Sequence, residues 1–481
     1  MVSGGRFTGG VFDGICGSAR REVLGEKAMR DALRSLCLGS DRKEITPPRR
    51  GGRRGRKSSA NFASLRCKNK DGNPMMRLLN LLLTLALSFA ALLLLAWGIT
   101  AAPSTRYVAP GANCAGATPC YATLQAAINA AQTGDEIRVA QGVYTDVTAF
   151  PYALGGWMQT ITQALFIDKS LTVRGGYTIT DWTMAQPLSY PTVIDPQGRG
   201  RGGVISAPDF NTPITVTLEG LVLANGYAQG SGGGLYVEGA SVVISDCYIH
   251  HNHGGSLAGG MYLGGHTMML TRNRIENNTG DGHGVVVDMG FPTLSGNFII
   301  SNTNGLLLWN NRATLLNNVI AANAKAGLTV LGGETQAWHT TVADNGEVGV
   351  WAQNSGQGPA HLAMTNTILS GPGVGVRALG YPENPTVVQL TATLWHNLTD
   401  TQIVEAGGQL IRSRDFTGDP AFAGAADYRL TAASPARNRG IPAGVAFDIL
   451  GVRRDPLPDL GAYEYDDPGS IRQVYLPLVR R

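Results

Sequence analysis

Lysine is almost missing from the larger part of this 481-residue chain: beyond residue 102 only Lys169 and Lys325 occur. The whole chain carries 39 basic and 35 acidic residues. Residues 1–102 hold 18 and 7 of these, which leaves 21 against 28 and a net charge of −7 for residues 103–481. Nucleic acid therefore finds no electrostatic support there. Cysteine is sparse too. Cys16, Cys37 and Cys67 fall in the basic N-terminal part, Cys114 and Cys120 lie close together, and Cys247 stands alone. No thiolate cluster for a metal results. The 64 glycines follow no Gly-X-Y period, which excludes collagen and assigns them to turns.

Only one long apolar run is present, from Leu78 to Ile99. It follows Met75-Met76-Arg77 and ends at Thr100-Ala101-Ala102. A charged start, an apolar stretch and small closing residues predict a signal peptide or signal anchor over residues 75–102. Residues 1–74, with the basic run from Arg49 to Lys57, lack apolar periodicity and read as a disordered extension. A start codon placed too far upstream explains them; a basic cytosolic tail on an uncleaved anchor is the other reading. Either way the remainder is expected outside the cell, secreted or at its surface. There Cys114 and Cys120 are expected to form a disulfide, and Cys247 to sit inward as a small apolar group.

From about Thr212 to Asn397 one phrase returns: an apolar residue, two spacers, Asn, a variable turn, then Gly and an alternating strand. The apolar column reads Val222, Ile249, Ile275, Ile299, Ile320, Val342, Ile368, Leu394, with steps between 21 and 27 residues. Three places on stand Asn225, Asn252, Asn278, Asn302, Asn323, Asn345, Gly371 and Asn397. Gly234, Gly260, Gly284, Gly305, Gly327, Gly349 and Gly375 open the next strands. Such a period with two-residue alternation predicts stacked coils, because one coil cannot bury its own apolar face. Stacking puts each Asn over its predecessor, where its amide can donate and accept between coils. The predicted fold is all-β: a right-handed parallel β-helix solenoid over residues 136–404.

On these residues the chain resembles the pectin-lyase-like β-helix superfamily. Thr123 to Ala131 has helical spacing with a Thr cap, and predicts an N-terminal capping helix within residues 103–135. The words Glu136 to Val139 and Gly142 to Tyr144 that follow predict the first strands, with further strands at Leu171–Val173 and Thr192–Ile194. The segment between Asp146 and Leu165 is expected to lie outside the coil. Residues 405–466 resemble the choice-of-anchor Q module through Gly418-Asp419-Pro420-Ala421-Phe422, Asp427-Tyr428-Arg429-Leu430, Ser434-Pro435-Ala436 and Asp459-Leu460-Gly461-Ala462-Tyr463-Glu464. That resemblance implies a surface or secreted bacterial protein. Residues 467–481 form a tail, read as a recognition signal or an added edge strand.

Many members of the superfamily cleave acidic glycans, which makes a polysaccharide lyase or glycoside hydrolase one reading. A lyase needs a strong base and cations around the uronate; only Lys169 and Lys325 are present, and no Arg or Asp cluster is spaced to stack on adjacent coils. Gly282-His283-Gly284 looks like the Gly-His-Gly motif of polygalacturonases, but the paired aspartates and Arg-Ile-Lys expected with it are absent, so His283 reads as turn. His250, His251 and His253 form no complete ligand set. No cofactor and no metal are expected. The other reading is a carbohydrate-binding or adhesive module, a monomer whose partner is an extracellular polysaccharide or cell-surface glycan. Its outward column offers Tyr236, Tyr262 and Trp351, with Trp309 two places along, as candidates to stack on sugar rings. Glu238 and Asp288 share one column with Gly264 between them. They are the weak catalytic candidates, spaced like the acids of an inverting glycosidase with Gly264 leaving room between them.

Overall fold

The computed structural model describes residues 82–84, 103–154, 157–209 and 212–465, with the side chains of 152–159 left aside. The chain divides into two compact units, residues 1–98 and 99–481. Of the first, residues 82–84 are described: a helical fragment, exposed. The expectations for residues 1–74, for most of 75–102 and for the 467–481 tail lie outside the described residues. No helix among the described residues is long and apolar enough to cross a membrane.

The second unit is a right-handed parallel β-helix. Each coil contributes a strand to three sheets. The first holds residues 235–238, 261–264, 285–288, 306–309 and 328–331; the second, 241–245, 267–271, 291–295, 312–316 and 334–338; the third, 248–250, 274–276, 298–300, 319–321 and 341–343. Alternation works as expected: Leu235, Val237, Met261, Leu263, Val285, Val287, Leu306 and Leu308 point inward and are fully buried. They belong to one continuous apolar core that runs from Val108 to Trp395.

The Asn ladder forms with its ends corrected. Asn252, Asn278, Asn302, Asn323 and Asn345 are buried and stacked. The Nδ2 of Asn252, Asn278, Asn302 and Asn323 donates to the next Oδ1 at 2.9–3.2 Å and to a carbonyl of the preceding coil, Asn345 at the end donates to Ile320 O, and backbone N–H groups also donate to the amide oxygens. Donors and acceptors are thus matched without water. Asn225 stands outside this stack. The register pairs Leu223, not Val222, with Ile249, so Gly226 occupies the ladder slot and donates its N–H to Asn252 Oδ1. Asn225 takes the left-handed corner (φ +56°), exposed, its amide on Asp195. The same one-residue displacement recurs late: Leu369 and Trp395 are the inward residues, while Ile368 and Leu394 face out. Asn397 keeps a ladder-type bond to Leu369 O but is separated from the stack by Gly371.

A second ladder, not expected from the pattern above, stands at the preceding corner. Asn273, Asn297 and Asn318 stack there, Nδ2 to Oδ1 at 3.0 Å, all fully buried. Their signal is present as Asn-x-Ile-x-x-Asn, repeated at 273–278, 297–302 and 318–323.

At the N-terminus, helix α1 (Leu124–Ala130) starts at Thr123, whose Oγ1 accepts from Ala126 N, and buries Leu124, Ala127 and Ile128 over the first coil. The Gln125 amide accepts from Phe166 N and donates to Phe166 O, acting as a strand neighbour for an otherwise open edge. Cys114 and Cys120 form the expected disulfide, and Cys247 is buried and free. The strands Glu136–Ala140, Gly142–Tyr144, Leu171–Tyr177 and Thr192–Ile194 appear where expected. The insertion is only partly outside. Its strands Thr148–Leu154 and Trp157–Ile167 pair antiparallel, but the second joins the first sheet through Leu165↔Gly203, because Leu165 and Ile167 are inward apolar positions.

The solenoid also runs past residue 404, since Gly408–Thr417 pairs with the last coil. The chain then turns back along the outside of the third sheet. Tyr428, Ile449, Ala462 and Tyr463 pack on Phe298, Ile300, Val319, Ala321 and Ala343. Leu430, Ala436 and Leu460 pack on Ile368, Ala392 and Leu394. Gly461 (φ +85°) must be glycine, as a Cβ would sit 2.6 Å from Thr341 Oγ1. Arg454 is buried at this seam: it bridges Glu464 at 2.9 Å and donates to Asn317 Oδ1 at 2.8 Å. Asp448 accepts N–H groups from Leu450, Val452 and Glu464, and Asp459 from Asn438 and Tyr465.

Candidate functional site

The outward column of the first sheet is Tyr236, Tyr262, Val286, Leu307, Thr329, Trp351 and Arg377, in register. The two tyrosines sit on adjacent coils and stack on each other, ring centroids 5.1 Å apart and planes 10° from parallel. Arg201 lies over the other face of Tyr236, 5.5 Å from its centroid. The aromatic faces are therefore largely occupied, and ring edges and hydroxyls are what the strip turns outward. Further along, Val286 and Leu307 are buried in a small cluster with Ala258, against which Tyr262 and Leu331 pack. The middle of the column is thus sheltered. Trp309 is half-buried beside Asp288 and Leu331 in register, and Trp351 is half-buried under the Arg377 guanidinium at 5.3 Å.

Glu238, Gly264 and Asp288 do share one column. The gap at Gly264 is not open, however. Tyr262 leans across it: a Cβ on Gly264 would lie 3.2 Å from Tyr262 Cε1 and 3.6 Å from its hydroxyl. That hydroxyl donates to Asp288 Oδ2 at 2.8 Å. On the neighbouring coil the Tyr236 hydroxyl is hydrogen-bonded to Glu238. Burial, then the Glu238 charge, push the Tyr236 phenol up to about 12, and burial with the Asp288 bond raises that of Tyr262 further. Both phenols stay protonated as donors at neutral pH. The place an activated water would need is filled by a phenol ring.

The histidines of the turns have local partners. His253 stacks on Tyr227 at 5.3 Å and reaches Thr279 Oγ1, and the Nδ1 atoms of His250 and His251 meet at 2.7 Å. Tyr248 hydrogen-bonds Glu276. Among the described residues no group of three or more His, Cys, Asp or Glu side chains is placed to hold a metal ion. His283 aligns with Asn304, and burial pulls its imidazole down to about 4, so it is neutral.

The family model described as "Right handed beta helix region" matches residues 200–345, the coils that carry both ladders. No curated protein matches the chain. Among solved structures, the pectate lyase Pel9A is similar at 16% identity, covering 77% of this chain and 98% of its own, with a TM-score of 0.40. The A-module of the Azotobacter vinelandii mannuronan C-5 epimerase AlgE6 is similar at 12% identity, covering 62% and 94%, with a TM-score of 0.27.

Proposed function

We propose that this protein is a non-catalytic glycan-binding module, working outside the cell as a secreted or surface-attached β-helix. The observation that carries the reading is the Arg201–Tyr236–Tyr262 stack with its hydroxyls fixed on Glu238 and Asp288. It is a rigid strip of ring edges, phenols and carboxylates that loses little freedom on meeting the hydroxyls of a sugar chain. Trp309 and Trp351 extend the same face. In this reading residues 405–466 serve as the surface-attachment module and residues 75–102 direct export. Hydrolysis by Glu238 and Asp288 receives less support, since Tyr262 occupies the space between them.

The test is a screen of residues 103–481 against neutral and acidic oligosaccharides, with binding and release of new reducing ends measured in parallel. Binding without cleavage, weakened about tenfold by Tyr262→Ala, is expected. Cleavage that Glu238→Gln or Asp288→Asn abolishes would replace this reading with the hydrolase.

A further inference from the structure

The second sheet carries a surface feature that the tyrosine strip does not share: a trough. One part, about 570 Å³, is lined by Phe291, Asn310, Arg312, Glu334 and His361 with the 357–359 loop. It continues past Glu334 and His361 into a second part of about 450 Å³, lined by Gln336, Val387 and Gln389. The register explains its straightness. Arg312, Glu334, His361 and Val387 are successive members of one outward column, and Gln336, Ala363 and Gln389 of the next. One wall is the turn at Asn310, whose amide donates to Gln357 Oε1 at 2.9 Å and ties the 357–359 loop beside the sheet. Gly332 (φ +70°) lets this wall close in, for a Cβ there would meet Asn310 Oδ1 at 2.3 Å.

We infer that this trough binds a second glycan, specifically a neutral linear oligosaccharide lying along the solenoid axis. The inference rests on the glycan reading above for its ligand class, though not on the tyrosine strip for its place. Phe291 is 63% exposed at one end and offers an open ring face, which the mutually stacked tyrosines do not. The exposed carboxamides of Gln336 and Gln389 each present a donor and an acceptor to sugar hydroxyls, and Gln357, whose Oε1 holds Asn310, adds its amide donor. The lining offers a uronate no net positive charge, because Arg312 is offset by Glu334 at 3.8 Å and both are largely exposed. From Phe291 to His361 the column climbs three coils of ~4.8 Å, roughly 14 Å, the reach of a short oligosaccharide. Two sites on different sheets would let one molecule bridge two chains, and avidity rather than single-site affinity would then set its hold on a matrix.

The experiment is calorimetric titration of residues 103–481 with neutral oligosaccharides from glucan, xylan and mannan and with a uronic-acid oligomer. Phe291→Ala, Gln336→Ala and Tyr262→Ala are titrated in parallel; Phe291 and Gln336 are exposed, and unchanged melting confirms the fold. The expected result is a neutral oligosaccharide bound about tenfold more weakly by Phe291→Ala, weakened by Gln336→Ala, and unaffected at that site by Tyr262→Ala. Neutral binding that both trough variants leave intact overturns the trough, and does so without touching the strip if Tyr262→Ala abolishes it. Loss in Phe291→Ala together with a Tyr262→Ala variant that binds every probe as the wild type does keeps the trough and removes the strip. Preference for the uronate, or no binding of any probe, overturns the trough.

Discussion

The outer face of the first sheet at residues 235–238 and that of the third sheet at residues 298–300 and 319–321 meet opposite surroundings. In the first, Leu-Tyr-Val-Glu at 235–238 alternates, and Tyr236 and Glu238 stay half-exposed. In the third, Phe-Ile-Ile at 298–300 and Val-Ile-Ala at 319–321 are apolar at every position and buried throughout, because residues 428–463 lie over them. A strand covered on both sides reads as a continuous apolar run, whereas a strand with one wet face alternates. The contrast teaches that in a solenoid the inner face is dictated coil by coil, while each outer face is a separate decision about what, if anything, packs on it.

The largest expected effect comes from breaking the cover. Arg454→Ala would leave Glu464, Asp448 and Asp459 buried around a missing cation. It should cost about 3–5 kcal/mol in urea denaturation and should speed hydrogen exchange in residues 441–465 more than in the first sheet. Equal acceleration in both would mean that cover and coils unfold as one unit. Next is the ladder: Asn302→Ala strands the Asn278 and Asn323 amides and should cost about 1–3 kcal/mol, read from the same denaturation curves. A smaller effect is pH-dependent. Burial, then Asp459, push Glu464 up to about 7 from its ordinary 4.5. Its contribution to stability is therefore complete below pH 4.5 and is lost as pH rises toward 7. Glu464→Gln should flatten that part of the stability profile; an unchanged slope would place the titration elsewhere. The smallest change is Asn225→Ala, expected at about 0.5–1 kcal/mol, because Asn225 lies exposed outside the ladder and its left-handed φ of +56° favours Asn over Ala; a cost equal to that of Asn302→Ala would contradict the register.

Much of the molecule is legible in its repeats. The coil period, the inward positions Leu235 to Val330 and the ladder from Asn252 to Asn345 come from local repetition, and the capping helix at Thr123 from its own spacing and cap. The Asn-x-Ile-x-x-Asn phrase carries the second ladder as well, but its upstream Asn recurs on only three coils and is outweighed by the longer downstream column. Asn225 is ambiguous because Asn225 and Gly226 both suit a corner, and only the pairing of Leu223 with Ile249 separates them. Ile368 and Leu394 are ambiguous because each is followed by another apolar residue, Leu369 or Trp395, so that pattern alone offers two equal registers.

By itself the sequence determined the stacking unit. Repetition places like residues over like through the central coils, and the inward apolar columns there leave the backbone no second way to bury them. Only the tertiary structure decided what stands on the outside. Arg454 meets Asn317 across 137 residues of chain. Tyr262 fills the space at Gly264 and bonds Asp288 one coil away, and the 357–359 loop is tied to Asn310 to wall a trough. None of these contacts repeats, so no period announces them. They are fixed by long-range packing, which pairs residues that share no local pattern.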